Sequence, residues 1–257
     1  MTILDGIILG VREDIQTHRV PLSQLQEMAH EVGSARSALT ALRSNELRVI
    51  AEVKRASPSK GALAAITDPA ALAMKYQSAG ASVVSVLTER RRFGGSLEDL
   101  AAVRKQISLP VLRKDFMVDE YQFYEARAFG ADMVLLIVAA LSDSQLLEFY
   151  QLATSLEMSA LIEVHTAAEL ERALEISPEI IGVNSRDLKD LSINQEAFAQ
   201  LLPLIPASIV KVAESGISTR DDVIFAKRSG ANALLIGEAL VRGGDPASTM
   251  RALLADG

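Results

Sequence analysis

The stretch Val49-Ile-Ala-Glu-Val-Lys54 is apolar except for two charges two residues apart. Alternation along a strand places Glu52 and Lys54 on one face and Ala51 and Val53 on the other. One of these faces must pack on helices, and an unpaired charge there would be costly. Glu52 and Lys54 are therefore predicted to look into the interior of a closed sheet, near its C-terminal mouth. Seven more short apolar runs follow: Ser82–Leu87, Leu109–Lys114, Met133–Val138, Ala160–His165, Ile180–Asn184, Ile209–Ala213 and Ala233–Gly237. Runs of this kind suit parallel strands covered on both faces.

Helix start signals fill the gaps. Asp68-Pro69 offers an N-cap followed by proline at the first helical position. Ser96–Asp99, Asp119–Gln122 and Thr166–Glu169 have the spacing of capping boxes. Glycine closes three helices, in Ala79-Gly80-Ala81, Phe129-Gly130-Ala131 and Ser229-Gly230-Ala231, where a left-handed residue is wanted. Eight strands, each followed by a helix through right-handed crossovers, predict an α/β fold, the (β/α)8 TIM barrel. An open doubly wound sheet is the alternative; it carries a G-x-G-x-x-G loop after its first strand, and none stands there. Residues 1–47 precede the first strand. Ile3, Ile7, Ile8, Val11 and Ile15, then Leu22, Leu25, Met28 and Ala29, recur at helical spacing. They predict an N-terminal helical extension that caps the barrel's base or flanks its mouth. No linker or low-complexity tract divides the chain, so one domain over residues 1–257 is expected.

The 257 residues match the length of about 250 typical of one such barrel. The chain has no cysteine, which excludes a disulfide scaffold, a thiolate metal site and a cysteine nucleophile. Three histidines make a polyhistidine metal site an unattractive reading. The net charge of −7 argues against a nucleic-acid partner. The N-terminus MTILDGIILGVRED lacks the basic start and long apolar stretch of a signal peptide. No apolar run approaches the roughly 20 residues of a membrane span. A cytoplasmic protein with no membrane partner is expected.

Further charges stand where buried strands should have none. Lys114 closes the third run, Glu163 lies near the end of the fifth, and Asn184 ends the sixth with Arg186 just beyond. Any one of these could be an ordinary ion pair at a strand end. Gathered at one mouth they predict a ligand, because buried charge costs several kcal/mol unless paired, and C-terminal strand ends are the catalytic positions of this fold. Lys54, Arg55, Lys60, Lys114 and Arg186 form a cationic basin in an acidic molecule, which suits a small anion. Glu214-Ser215-Gly216 and Gly237-Glu238 close the last two strands. Glycines and helix N-termini there are the usual phosphate cradle of such barrels. If the seventh strand stays regular, Glu214 and Ser215 face opposite ways. His165 and Glu89-Arg-Arg-Arg92 read as solvated loop, the latter alternatively as part of a lid hinged at Phe93-Gly94-Gly95.

The ordered motifs carry a resemblance. Residues 50–61 (IAEVKRASPSKG), Leu87-Thr-Glu89, Phe93-Gly-Gly-Ser96, Leu112-Arg-Lys-Asp-Phe116, 130–137 (GADMVLLI), Leu161-Ile-Glu-Val164, 182–188 (GVNSRDL), 212–217 (VAESGI) and Leu235-Ile-Gly-Glu238 are similar to those of indole-3-glycerol phosphate synthases. The resemblance runs from the extension to the last helix, at the length of the monofunctional form. It implies ring closure, decarboxylation and dehydration of 1-(2-carboxyphenylamino)-1-deoxyribulose 5-phosphate without a cofactor or metal. It further implies Lys114 as general acid, Lys54 with Ser57 on the substrate carboxylate, and Glu163 as stabiliser of a cationic intermediate. Glu52, Glu163 and the two lysines are left to share the later proton transfers. Asn184 is expected to bond a substrate hydroxyl and to orient Glu52 or Glu163, and Arg186 to support the carboxylate end or the acid network. Phe93, Phe116, Leu135, Ile137 and Leu188 are expected to wall the aromatic ring, with Glu214 also at the substrate. Ser215, Gly216, Gly237 and Glu238, the last through its backbone N–H, are expected to bind phosphate. The expected partner is a small phosphorylated substrate, the expected assembly a monomer or weak homo-oligomer.

Two rivals stand beside this reading. Phosphoribosylanthranilate isomerases use a cysteine base, which this chain lacks. A non-catalytic phosphosugar-binding barrel would need the cradle but not Lys54, Lys114 and Glu163 together.

Overall fold

The computed structural model describes residues 2–188, 190–242 and 244–255. Eight parallel strands close into a barrel: β1 (Arg48–Val53), β2 (Val83–Leu87), β3 (Val111–Lys114), β4 (Met133–Ile137), β5 (Ser159–Val164), β6 (Ile180–Asn184), β7 (Val210–Glu214) and β8 (Ala233–Ile236). Each pairs with the next, and β8 returns to β1 with Ile50 opposite Leu235. Three helices precede β1: α1 (Ile3–His18), α2 (Leu22–Val32) and α3 (Ala38–Leu42). The outer ring is α4 (Pro69–Ser78), α5 (Leu97–Gln106), α6 (Tyr121–Ala128), α7 (Asp143–Ser155), α8 (Ala167–Glu175), α9 (Glu196–Leu201), α10 (Arg220–Arg228), α11 (Glu238–Arg242) and α12 (Pro246–Leu254). A short hairpin, Ala56–Ser57 against Gly61–Ala62, rises from the end of β1.

Alternation sorts the core into two layers. Ala51, Val53, Val84 and Val86 face outward and join Tyr76, Leu100 and Val103 of α4 and α5. Ile50, Val83, Leu112, Met133, Leu161, Ile180 and Val212 fill the barrel. The three glycine joints close their helices identically. At α4, Gly80 (φ 93°) donates to Gln77 and Ala81 donates to Tyr76. Gly130 and Ala131 repeat this after α6, Gly230 and Ala231 after α10. Glycine carries the positive φ without a Cβ penalty and so aims the next strand.

The extension serves both ends of the barrel. Ala38 and Leu42 of α3 pack with the lower interior layer, and the Arg36 guanidinium donates to the Leu109 carbonyl at 2.7 Å, just before β3. Leu4, Ile7 and Val11 of α1 pack with the mouth-side residues of the same interior cluster, among them Phe116 and Ile137. Arg91 in the loop after β2 ties α1 down, donating to Glu13 at 2.7 Å and to Asp14 at 2.7 Å. That loop is not simply solvated as expected. Glu89 is buried, and its carboxylate accepts the N–H groups of Arg92 and Phe93. Two capping details also differ. α6 starts at Tyr121, with Asp119 accepting the Tyr121 N–H, and Gln122 accepts N–H groups of Val118 and Asp119. Thr166 caps α8 as expected, but Glu169 reaches past it to the His165 N–H.

Candidate active site

A cavity of about 760 Å³ opens at the C-terminal ends of the strands. All the residues expected to form the site line it, from Glu52 and Lys54 on the β1 side to Gly237 and Glu238 after β8. Lys54 Nζ lies 2.5 Å from Glu52 Oε1. Lys114 Nζ donates to Glu163 Oε2 at 3.0 Å and lies 3.4 Å from Glu214 Oε2. Glu52, Glu163 and Glu214 are all buried, so three carboxyl groups and two lysines crowd one floor.

This crowding sets the protonation states. Burial works against a charged Lys114, but Glu163, Glu214 and Glu52 outweigh it and hold the ammonium well above the usual lysine range. Burial likewise disfavours a charged Glu163, yet Lys114 and His165 overcome it and keep that carboxyl well below its ordinary range. Glu214 goes the other way. Burial raises it, Lys114 pulls it down, and Glu163 and Glu52 push it back up, to about 8. Among the described residues neither of its oxygens is aligned for a hydrogen bond, Lys114 standing 3.4 Å from Oε2, and such burial favours the neutral acid. Two carboxyls beside one lysine thus hold different protons at neutral pH, a division typical of acid and base pairs.

Room for these acids comes from glycine in neighbouring strands. A methyl group at Gly237 would overlap Glu52 Oε1, and one at Gly182 would overlap Glu214 Oε1. Glu214 and Ser215 both reach the cavity because the strand does not stay regular. Ser215 (φ 67°) and Gly216 (φ 72°) are left-handed, and the chain turns sharply after Glu214. The adjoining start of α10 is already occupied: Asp222 accepts the N–H groups of Ser218 and Thr219, and Thr219 accepts that of Asp222.

Phe93 and Phe116 stand with ring centroids 6.1 Å apart at 41° and form an apolar wall with Leu135, Ile137 and Leu188. On the opposite rim the Glu238 carboxylate pairs with Lys60 at 2.6 Å and Arg242 at 3.1 Å. Arg186 donates to the Leu191 carbonyl at 3.1 Å and to Ser59 Oγ at 3.3 Å, joining the loops after β6 and β1.

Three expectations are corrected. Asn184 does not orient Glu52 or Glu163: among the described residues its Oδ1 accepts the Arg186 N–H at 3.0 Å. Arg55 leaves the cationic basin, since its guanidinium turns to Asp99 of α5 and to the Ile66 carbonyl. His165 is not a solvated loop residue. Its side chain is 9% exposed, with Nε2 3.4 Å from Glu163 Oε1 and Nδ1 3.0 Å from Glu169 Oε2. Ile7, Leu87, Leu191 and Ile193 line the cavity and were not expected there. Ile7 had its place in the helical pattern of the extension as its only signal.

Burial disfavours a charged His165, but the two carboxylates prevail and push it up to about 10 from its ordinary 6.5. A basic group raised on folding contributes stability that is complete below its unfolded value and lost as pH climbs to the folded one. The melting temperatures of the native chain and of His165→Gln are therefore expected to differ most at pH 6.5 and below, and to converge towards pH 10. A gap independent of pH would mean that His165 is neutral in the folded state.

The chain matches the indole-3-glycerol phosphate synthase family over residues 4–253. It is 53% identical over 264 residues to the indole-3-glycerol phosphate synthase of Kineococcus radiotolerans, covering all of this chain and 96% of that protein. It is 54% identical to that of Paenarthrobacter aurescens, over 96% of this chain and 93% of the relative. The chain belongs to the indole-3-glycerol phosphate synthase family. Among solved structures it resembles a thiamine phosphate pyrophosphorylase from Pyrococcus furiosus, with TM-score 0.61 and 14% identity over 81% of this chain and 94% of that one. It also resembles 3-hexulose-6-phosphate synthase, with TM-score 0.59 and 17% identity over 82% and 98% of the two chains. These two likenesses concern the barrel alone. The family assignment removes the isomerase reading, whose cysteine base the chain lacks.

Proposed function

We propose that the cavity closes the indole ring of 1-(2-carboxyphenylamino)-1-deoxyribulose 5-phosphate, as the family's membership implies, with the following division of labour. The observation that carries it is the Lys114 ammonium, buried between Glu163 and Glu214 in a cavity that Phe93, Phe116, Leu135, Ile137 and Leu188 also line. The ring carbon bearing the carboxylate attacks the ribulose carbonyl. Lys114 gives its proton to the carbonyl oxygen as the new carbon–carbon bond forms. The product of this step is a cation delocalised onto the nitrogen, which Glu163 stabilises. Loss of CO2 restores the aromatic ring. Departure of the former carbonyl oxygen as water, with loss of a proton from the neighbouring carbon, completes the indole.

Lys54 and Ser57 hold the substrate carboxylate, which fixes the attacking carbon near the carbonyl. Phe93, Phe116, Leu135, Ile137 and Leu188 clasp the aromatic ring. The backbone N–H groups of Ser215, Gly216, Gly237 and Glu238 take the phosphate, supported by the left-handed turn after β7. Glu214 is the group left to donate a proton to a hydroxyl or leaving oxygen, since it holds one at neutral pH. Asn184 and Arg186 act at the rim, on substrate hydroxyls and on the loop that covers them. The helices before β1 belong to the same catalytic unit, because Ile7 lines the cavity.

The test uses the absence of tryptophan from the chain. Indole fluorescence appearing when protein and substrate are mixed comes from product alone. Its absence at saturating substrate would leave a binding barrel instead of an enzyme. Glu163→Gln is expected to lower kcat about 10²-fold with product binding retained; an unchanged kcat would move the cation-stabilising role elsewhere.

A further inference from the structure

Glu163 is gripped at both of its oxygens. Oε2 accepts a hydrogen bond from Lys114 at 3.0 Å. Oε1 faces Nε2 of His165 at 3.4 Å, an ion contact without hydrogen-bond alignment. The far side of the imidazole is held in turn: Nδ1 lies 3.0 Å from Glu169 Oε2, which also accepts the His165 N–H at 2.8 Å. Glu169 stands in the first turn of α8, where the helix dipole favours a carboxylate, and its own N–H is capped by Thr166. The charged groups acting on His165 are Glu163 from β5 and Glu169 from α8. A relay of alternating sign, Lys114–Glu163–His165–Glu169, runs from the cavity floor to the outer ring.

We infer that His165 is a positioning residue for the ring-closure reaction: it draws one oxygen of Glu163 away from Lys114, so that the carboxylate stays aimed at the substrate cation and the lysine keeps a proton free to give. This rests on the reading of Glu163 given above. Without the imidazole no other described side chain holds Oε1 apart, and the carboxylate can swing to chelate Lys114 through both oxygens. Glu163 is then turned from the substrate and the Lys114 proton is tied to it. The damage falls on chemistry and not on binding, because neither His165 nor Glu169 lines the cavity. Misplacing a catalytic group by about 1 Å can cost on the order of 10²-fold in rate.

Kinetics of His165→Phe, His165→Gln and Glu169→Gln, read by indole fluorescence between pH 5.5 and 9.5 beside Glu163→Gln, test the inference. His165→Phe is expected to lose kcat tenfold or more with KM within about twofold. The loss should narrow towards pH 9.5, since the native imidazole is itself shedding its proton as it nears about 10 and its grip on Glu163 weakens. His165→Gln keeps an N–H in reach and should recover part of kcat. Glu169→Gln leaves the imidazole in place but releases its far side; it should lower kcat more mildly, and it answers the question even where His165→Phe does not fold. Native kcat in both His165→Phe and Glu169→Gln, or kcat falling only in step with melting temperature and equally at every pH, would overturn the inference. Should Glu163→Gln itself keep native turnover, the fault lies in the role given to Glu163; should it lose turnover while the His165 variants keep theirs, the positioning role alone fails.

Discussion

Lys114→Ala is expected to lower ring-closure turnover by 10³-fold or more, near the upper range for loss of a general acid, while product still binds within a few-fold of the native affinity. The reason lies in the floor of the cavity. Lys114 is the cation between Glu163 and Glu214, and the acids around it, Glu163 first, hold its ammonium well above the usual lysine range. Lys54 is engaged 2.5 Å from Glu52 and sits at the other side of the floor. Removing a buried cation also leaves its acids facing each other, a change that can cost about 3–5 kcal/mol of stability. Lys114→Arg separates the two effects. A guanidinium restores the charge and the fold, but it does not release a proton in this pH range. Both variants are expected to be inactive in the indole fluorescence assay, and only the alanine variant should melt early. Near-native turnover in either one would mean that another group protonates the carbonyl.

Gly95→Ala is expected to destabilise the molecule strongly. Its Cβ would overlap the Leu87 carbonyl and stand 2.8 Å from the Thr88 nitrogen, and both belong to backbone at the end of β2. Backbone cannot rotate aside as a side chain can, so the loop after β2 must lift. That loop is closed on itself by Gly95 N–H to the Glu89 carbonyl and tied at its middle by Arg91 to α1. The strain cannot dissipate locally, and a cost near 3 kcal/mol is expected, the upper part of the range for overpacking. In a chain of this size that lowers the melting temperature by roughly 5–10 °C. Phe93 rides on the same loop and faces Phe116, so KM for the aromatic substrate should rise as well. A variant with native melting temperature and KM would show that the loop yields freely.

The barrel was legible because its signals are local. Strand alternation, proline and aspartate caps and the three glycine stops act within a few residues of one another. The site was nearly as legible, since a charge two residues from another on an apolar strand has only the interior to face. The exceptions share a cause. Glu214 and Ser215 both enter the cavity because Ser215 adopts a left-handed backbone, which no alternation rule foresees. Arg55 departs because Asp99, 44 residues away, offers a closer partner than the cavity does. His165 is buried by the return of α8, which brings Glu169 over it.

By itself the sequence determined the eightfold strand–helix alternation, the residues that crown the strands and the family to which the chain belongs, since each depends on residue type and short spacing. The tertiary structure alone decided which crown residues pair, which proton Glu214 keeps and that His165 stands behind Glu163. Those outcomes depend on distances between strands and helices far apart in the chain, and on how completely water is excluded between them.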